Sequence, residues 1–188
     1  MTEGNPAMAK PRVATASLAG CFGCHMSILD IDDRILQLIE LVDFDKSPIN
    51  DLKEFTGRCA IGLIEGGCCN EENVRVLREF RAHCDTLISV GECAICGGIP
   101  ALRNTVPLQE CLEEAYRKGP TVHNPTGQVP NDPDIPLLLN RVYPCHEVVK
   151  VDYHLQGCPP PADAIWAALT ALLTSQPVSL PYELIKFD

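Results

Sequence analysis

Cysteine is the residue whose number and placement stand out, with 11 among 188 residues. Many of these thiols sit in four short glycine-marked segments. They are Gly20-Cys21-Phe22-Gly23-Cys24, Glu65-Gly66-Gly67-Cys68-Cys69, Gly91-Glu92-Cys93-Ala94-Ile95-Cys96-Gly97-Gly98 and Gly157-Cys158-Pro159-Pro160. An odd count excludes complete internal disulfide pairing. The first 20 residues contain neither the apolar run of a secretory signal nor a twin-arginine pair, and no stretch approaches the roughly 18 apolar residues of a membrane span. The expectation is a cytoplasmic chain whose thiols stay reduced, where so many cysteines point to metal or redox chemistry.

Several converging thiolates suit zinc or an iron–sulfur cluster. Cys21-x-x-Cys24 can attach to either at two points, and its place before a helix favours thiolates. Zinc held by the Cys21/Cys24 and Cys93/Cys96 pairs has the right C-x-x-C spacing, although the pairs lie too far apart in sequence for a compact zinc ribbon. The glycines favour a cluster, because backbone must come close to a bulky cubane and donate N–H groups to its sulfurs. On spacing alone the two stand about level, ahead of a thioredoxin-type pair. Other classes are excluded more firmly. A formal charge of -10 opposes nucleic-acid binding, which needs clustered Lys and Arg. No P-loop, dinucleotide fingerprint or Ser/His/Asp ordering is present.

The surrounding pattern supplies the elements that must position these segments. Short apolar runs at Arg12–Leu18, Cys59–Ile64, Thr86–Val90 and Val148–Val151 read as strands, each followed by one of the glycine–cysteine segments. Between them lie amphipathic stretches. Ser27 and Asp30 form a capping box for a helix whose face carries Ile28, Ile31, Ile35, Leu38 and Val42. Asn70 caps a second helix running to about His83. A weak apolar stripe marks residues 100–118 as helical. Pro160 and Pro161 open a last helix lined by Ile165, Leu169 and Leu172. Six prolines between 119 and 147 argue against a long strand or helix there. Residues 1–11 read as a polar lead and residues 12–188 as one domain. Strands alternating with helices predict an α/β, doubly wound parallel sheet of flavodoxin-like layout. The cysteine segments then gather at its carboxyl edge.

Three of the motifs together resemble a known family. Cys21-Phe-Gly-Cys-His-Met-Ser-Ile-Leu-Asp30, Val90-Gly-Glu-Cys-Ala-Ile-Cys-Gly-Gly-Ile-Pro100 and Gly157-Cys-Pro-Pro160 are similar, in sequence order, to the small subunit of nickel–iron hydrogenases. The short subunit of the soluble, NAD-reducing type is the nearest match. The resemblance runs from about residue 12 to 175. It implies one [4Fe–4S] cluster at the sheet's carboxyl edge, held by Cys21, Cys24, Cys93 and Cys158. It also implies a large subunit carrying the Ni-Fe centre, and a diaphorase module with FMN and further Fe-S clusters that reduces NAD. Longer members have a C-terminal extension for two more clusters. Here no cysteine follows Cys158, so electrons are expected to pass directly to another protein. Cys68, Cys69 and Cys96 are expected to be near-site thiols acting as small buried hydrophobes. Cys59, Cys84, Cys111 and Cys145 are expected to be packing residues. Glu65 is expected near the cluster as a carboxylate satisfied by loop N–H groups, and His25 as a donor near the cluster or a surface contact. The rivals are the cluster-bearing quinone-site subunit of a complex I-like dehydrogenase, whose first site has adjacent cysteines, and a zinc-stabilised scaffold.

Overall fold

The computed structural model describes residues 10–186; most of the polar lead expected at 1–11 lies outside them. Five strands form the main sheet: β1 (Arg12–Ser17), β2 (Asp43–Phe44), β3 (Cys59–Glu65), β5 (Cys84–Val90) and β7 (Tyr153–Leu155), in the order β2-β1-β3-β5-β7. Every pairing is parallel. Counted along the chain this is the order 2-1-3-4-5 of flavodoxin-like sheets, with its switch point between β1 and β3. The expected fold is borne out.

Both faces are covered, as a parallel sheet requires. The two-residue side-chain period sends Val13, Ile61, Leu63, Ile88 and Val90 into one apolar layer and Ala14, Ala16, Ile64 and Leu87 into the other. The first layer is closed by α1 (Gly23–Leu29), α2 (Arg34–Leu41) and α6 (Ala162–Leu173), through Ile28, Leu38, Ile165 and Leu169. The second is closed by α3 (Glu71–His83), through Leu77 and Phe80, and by Ala94 of α4 (Glu92–Cys96). α3 starts where expected: Asn70 Oδ1 accepts the Asn73 N–H at 2.8 Å.

Four local readings differ from the structure. The helix read from Ser27 is two helices. Phe22, at φ 68, turns the chain so that α1 begins at Gly23, and Asp32, at φ 60, interrupts the helix before α2. Ser27 is therefore inside α1, where its buried hydroxyl donates to the Pro160 carbonyl at 2.5 Å. The fourth strand is Tyr153–Leu155 rather than Val148–Val151. Those valines pack beneath the sheet from a loop, while Asp152, whose Oδ2 takes the Leu87 N–H at 2.9 Å, pins the start of β7. Residues 99–118 are divided into a 3-10 turn (Ile99–Thr105), α5 (Leu108–Glu113) and a wide final turn (Glu114–Lys118). The proline-rich segment does hold a strand, β6 (Leu138–Tyr143), paired antiparallel with β4 (Cys68–Asn70). Pro136 and Pro144 flank it rather than break it.

Candidate metal centre

The carboxyl ends of β1, β3, β5 and β7 are drawn together by backbone contacts between their loops. Ala19 and Gly67 exchange two hydrogen bonds of 2.9 Å, and Leu18 N–H donates to Glu65 O at 2.8 Å. Gly91 N–H donates to Leu155 O at 2.9 Å, and Glu92 N–H to Gly157 O at 3.0 Å. Glu92 returns the tie, since its Oε1 accepts the Gly157 N–H at 3.3 Å. These ties enclose a recess walled by Cys21, Cys24, Cys93 and Cys158, with Glu65, Glu92, Gly20, Gly23, Gly66, Gly157 and Pro159 between them.

Glycine permits this closeness. Gly91 has φ +82, and a Cβ there would lie 2.4 Å from Cys24 Sγ. Gly98 has φ +48, and its Cβ would lie 2.9 Å from Cys93 Sγ. L-residues rarely adopt either conformation. Gly23 N–H donates to Cys21 Sγ at 3.4 Å.

The thiols also affect one another electrostatically. Burial pushes the Cys24 thiol well above its ordinary range, and Glu65, Cys93 and Cys21 add to the shift. Cys93 is raised by burial and by Cys158, Cys21 and Cys96. Ionising such thiols beside a carboxylate would require bound positive charge among them. Among the described residues, no three His, Cys, Asp or Glu side chains converge closely enough to hold a single metal ion. The donors surround a space rather than a point. All four are thiols, and the glycine cradle leaves room on the backbone side, so they fit a thiolate-bound polynuclear cluster.

The structure thus brings together Cys21, Cys24, Cys93 and Cys158 and leaves Cys68, Cys69 and Cys96 out of the recess wall. Cys68 is buried and meets Cys145. Cys69 Sγ donates to Asn73 Oδ1 at 3.3 Å. Cys96 is exposed, with its thiol 3.2 Å from Glu92 O, so it is not a buried hydrophobe. Cys59, Cys84 and Cys145 are packing residues, as expected.

His25 is 1% exposed and packs in the core, not at a surface. Its Nδ1 lies 3.0 Å from Glu65 Oε1, out of line for a good hydrogen bond, and its backbone N–H donates to Glu65 Oε2 at 3.2 Å. Burial alone would raise the Glu65 carboxyl; the adjoining His25, through its ring and backbone N–H, and the Ser17 hydroxyl outweigh it and hold the group below the usual range. The same carboxylate lines the recess with Cys24 and helps to raise that thiol. On the far side of the ring, His25 Nε2 lies 2.9 Å from Thr15 Oγ1, which is 2.6 Å from Ser47 Oγ. Sequence reasoning does not find Thr15 or Ser47. The one available signal is a hydroxyl in the middle of an apolar strand.

With its 2-1-3-4-5 parallel sheet and a thiol-lined recess off the strand ends, the chain belongs to the family described as NADH ubiquinone oxidoreductase, 20 kDa subunit, whose model matches residues 21–172. Within that family its relatives are hydrogenase subunits. The chain is 48% identical, over its full length and 92% of the relative's, to the delta subunit of the NAD-reducing hydrogenase HoxS of Cupriavidus necator. It is 41% identical to a subunit of the F420-non-reducing hydrogenase of Methanothermobacter thermautotrophicus, covering 92% of this chain and 56% of that one. The crystal structure of an NAD+-reducing [NiFe]-hydrogenase in the H2-reduced state contains a chain that is 52% identical, with a TM-score of 0.91. The match covers 95% of this chain and 99% of the other. The resemblance to nickel–iron hydrogenase small subunits is borne out.

Proposed function

We propose that this chain is the electron-transfer subunit of a cytoplasmic, NAD-reducing nickel–iron hydrogenase, and that Cys21, Cys24, Cys93 and Cys158 hold one [4Fe–4S] cluster. The observation that carries this reading is the recess itself: the two thiols of the C-x-x-C and one from each of two other strand-end loops face one glycine-cradled space. When bound, a cluster of this kind supplies one-electron transfer. The chain's own residues do the rest. Gly23 N–H donates to the Cys21 sulfur. Gly91 and Gly98 let backbone close over Cys24 and Cys93. Glu92 locks the Gly157-Cys158 loop to α4.

The overall reaction is H2 + NAD+ = NADH + H+. Hydrogen is split in a large subunit that carries the Ni-Fe centre. NAD is reduced in diaphorase subunits that carry FMN and further Fe-S clusters. Exposed Ile99 and Leu102 follow α4 directly and give the neighbourhood of Cys93 and Cys96 an apolar surface suited to a protein partner. No helix among the described residues is long and apolar enough to cross a membrane.

The test is an iron and acid-labile sulfide count on the purified subunit complex, with about four of each expected for this chain's cubane above its partners' content. Cys158→Ala should lose H2-dependent NAD reduction while the complex still assembles. Full activity in that variant would refute the ligand assignment. The description of the matched family favours a second reading, as the cluster-bearing subunit of a complex I-like dehydrogenase. It predicts quinone reduction by the co-expressed complex and no hydrogen uptake. One zinc per chain and no sulfide would support the scaffold reading over both.

A further inference from the structure

We propose that Thr15 and Ser47 are positioning residues for the metal centre, acting through the His25 ring on the Glu65 carboxylate. The proposal rests on the cluster reading above. Its starting point is a row of polar side chains in a layer that is otherwise apolar: Ser47, Thr15, His25 and Glu65 are between 1% and 3% exposed. Thr15 shares its face of β1 with Val13, in the layer of Ile28 and Ile61. Valine has the same shape as threonine and would fill that place without a polar atom. Nor is the hydroxyl needed to attach the loop after β2, because the Thr15 N–H already donates to Lys46 O at 2.9 Å.

The hydrogen-bond pattern gives the row a direction. Ser47 Oγ accepts the Ile49 N–H at 3.3 Å, and among the described residues Thr15 Oγ1, 2.6 Å away, is the acceptor within reach of its own buried proton. With Thr15 Oγ1 accepting from Ser47, its own proton finds an acceptor only at His25 Nε2, 2.9 Å away, the arrangement that satisfies both hydroxyl protons. A neutral imidazole that accepts at Nε2 carries its proton on Nδ1, and Nδ1 faces Glu65 Oε1 at 3.0 Å. The Phe22 ring stacks on the imidazole at 4.6 Å and 9°, fixing its plane. Two hydroxyls thus select the tautomer that places an N–H, rather than a lone pair, 3.0 Å from the carboxylate, and that carboxylate stands in the recess wall with Cys24. Without the Thr15 hydroxyl, the proton on Nδ1 loses its selection. The other tautomer turns a lone pair toward Glu65 and drives the carboxylate away from its position. A charge moved within a poorly solvated recess changes the energy of adding an electron there.

The experiment uses the assembled subunit complex carrying wild-type chain, Thr15→Val, Thr15→Ser or Ser47→Ala. Each is measured for iron and sulfide, for the EPR spectrum of the reduced centre, and for its midpoint potential. Thr15→Val, with wild-type iron, is expected to change the reduction equilibrium about tenfold, which is 59 mV for a one-electron couple. Ser47→Ala should shift it in the same direction by less, and Thr15→Ser should restore the wild-type value and spectrum. Thr15→Val with full iron, an unaltered spectrum and an unaltered potential overturns the proposal. If Thr15→Val does not assemble, the same result in Ser47→Ala overturns it. A wild-type complex in which this chain holds no cluster overturns the parent reading instead, and this inference with it.

Discussion

Replacing Gly91 with alanine tests the geometry of the recess more directly than removing a thiol. The new Cβ would lie 2.4 Å from Cys24 Sγ and 3.4 Å from Gly157 O, on a backbone at φ 82 and ψ 162. That conformation is almost restricted to glycine and costs an L-residue about 1–3 kcal/mol. Overpacking against sulfur and carbonyl adds about 1–3 kcal/mol. The sum, about 2–6 kcal/mol, is a large part of the roughly 5–15 kcal/mol that keeps a domain folded. The overlap with sulfur is relieved most easily by rotating Cys24 out of the recess. Gly91→Ala is therefore expected to fold with a lowered Tm and to lose most of its iron. Gly127→Ala is the control: its φ is +64, but its Cβ would meet only Arg117 Nε, at 3.9 Å, away from the recess. It should show backbone strain and keep its iron. Circular dichroism melts and iron analysis of the two variants side by side decide the matter. Full iron and sulfide in Gly91→Ala would show that Cys24 does not need its observed position, and the reasoning would fail.

Two further expectations concern the scaffold. Asn70→Ala removes the cap of α3 and should lower stability by about 1 kcal/mol in urea denaturation, with the slope unchanged; no change in midpoint would mean that the cap contributes nothing. Asp152 is desolvated, yet hydrogen bonds from Arg81, the Leu87 N–H and Lys150 win and hold its carboxyl below the ordinary value. A depressed carboxylate contributes stability above its unfolded pKa, near 3.9, and loses it as pH falls through the folded value. Wild type should therefore lose more stability than Asp152→Asn between pH 5 and pH 3. Parallel pH profiles for the two would remove Asp152 as the cause.

The parts of the site legible in the sequence are those specified over a few residues. Cys21-x-x-Cys24, and glycine beside Cys93 and Cys158, mark strand ends because a buried parallel strand must stop abruptly before backbone can approach a ligand. The alternation of apolar runs then places those ends on one edge, even though Val148–Val151 is a loop and β7 lies just beyond it. The difference is harmless to the site, since either position of the strand delivers Gly157 and Cys158 to the same edge. It arises because a short apolar run looks alike in a strand and in a loop packed beneath one. Ser27 differs for a related reason: Ser-x-x-Asp satisfies the local capping rule, but the turn at Phe22 starts the helix earlier and leaves the hydroxyl to the Pro160 carbonyl.

The buried row from Ser47 to Glu65 is illegible for a different reason. Its contacts span 32 residues between Thr15 and Ser47 and 40 between His25 and Glu65, and they exist only once β1, the loop after β2 and α1 are stacked. Local pattern records where the chain turns toward a ligand; it does not record which polar atoms meet behind it. A carboxylate 3% exposed at the recess wall needs fixed donors, and this fold supplies them from the apolar layer rather than from solvent. The cysteine segments can therefore be located from sequence and the family resemblance narrows them to four thiols, while the polar row behind them emerges only when Glu65 is followed inward to Thr15.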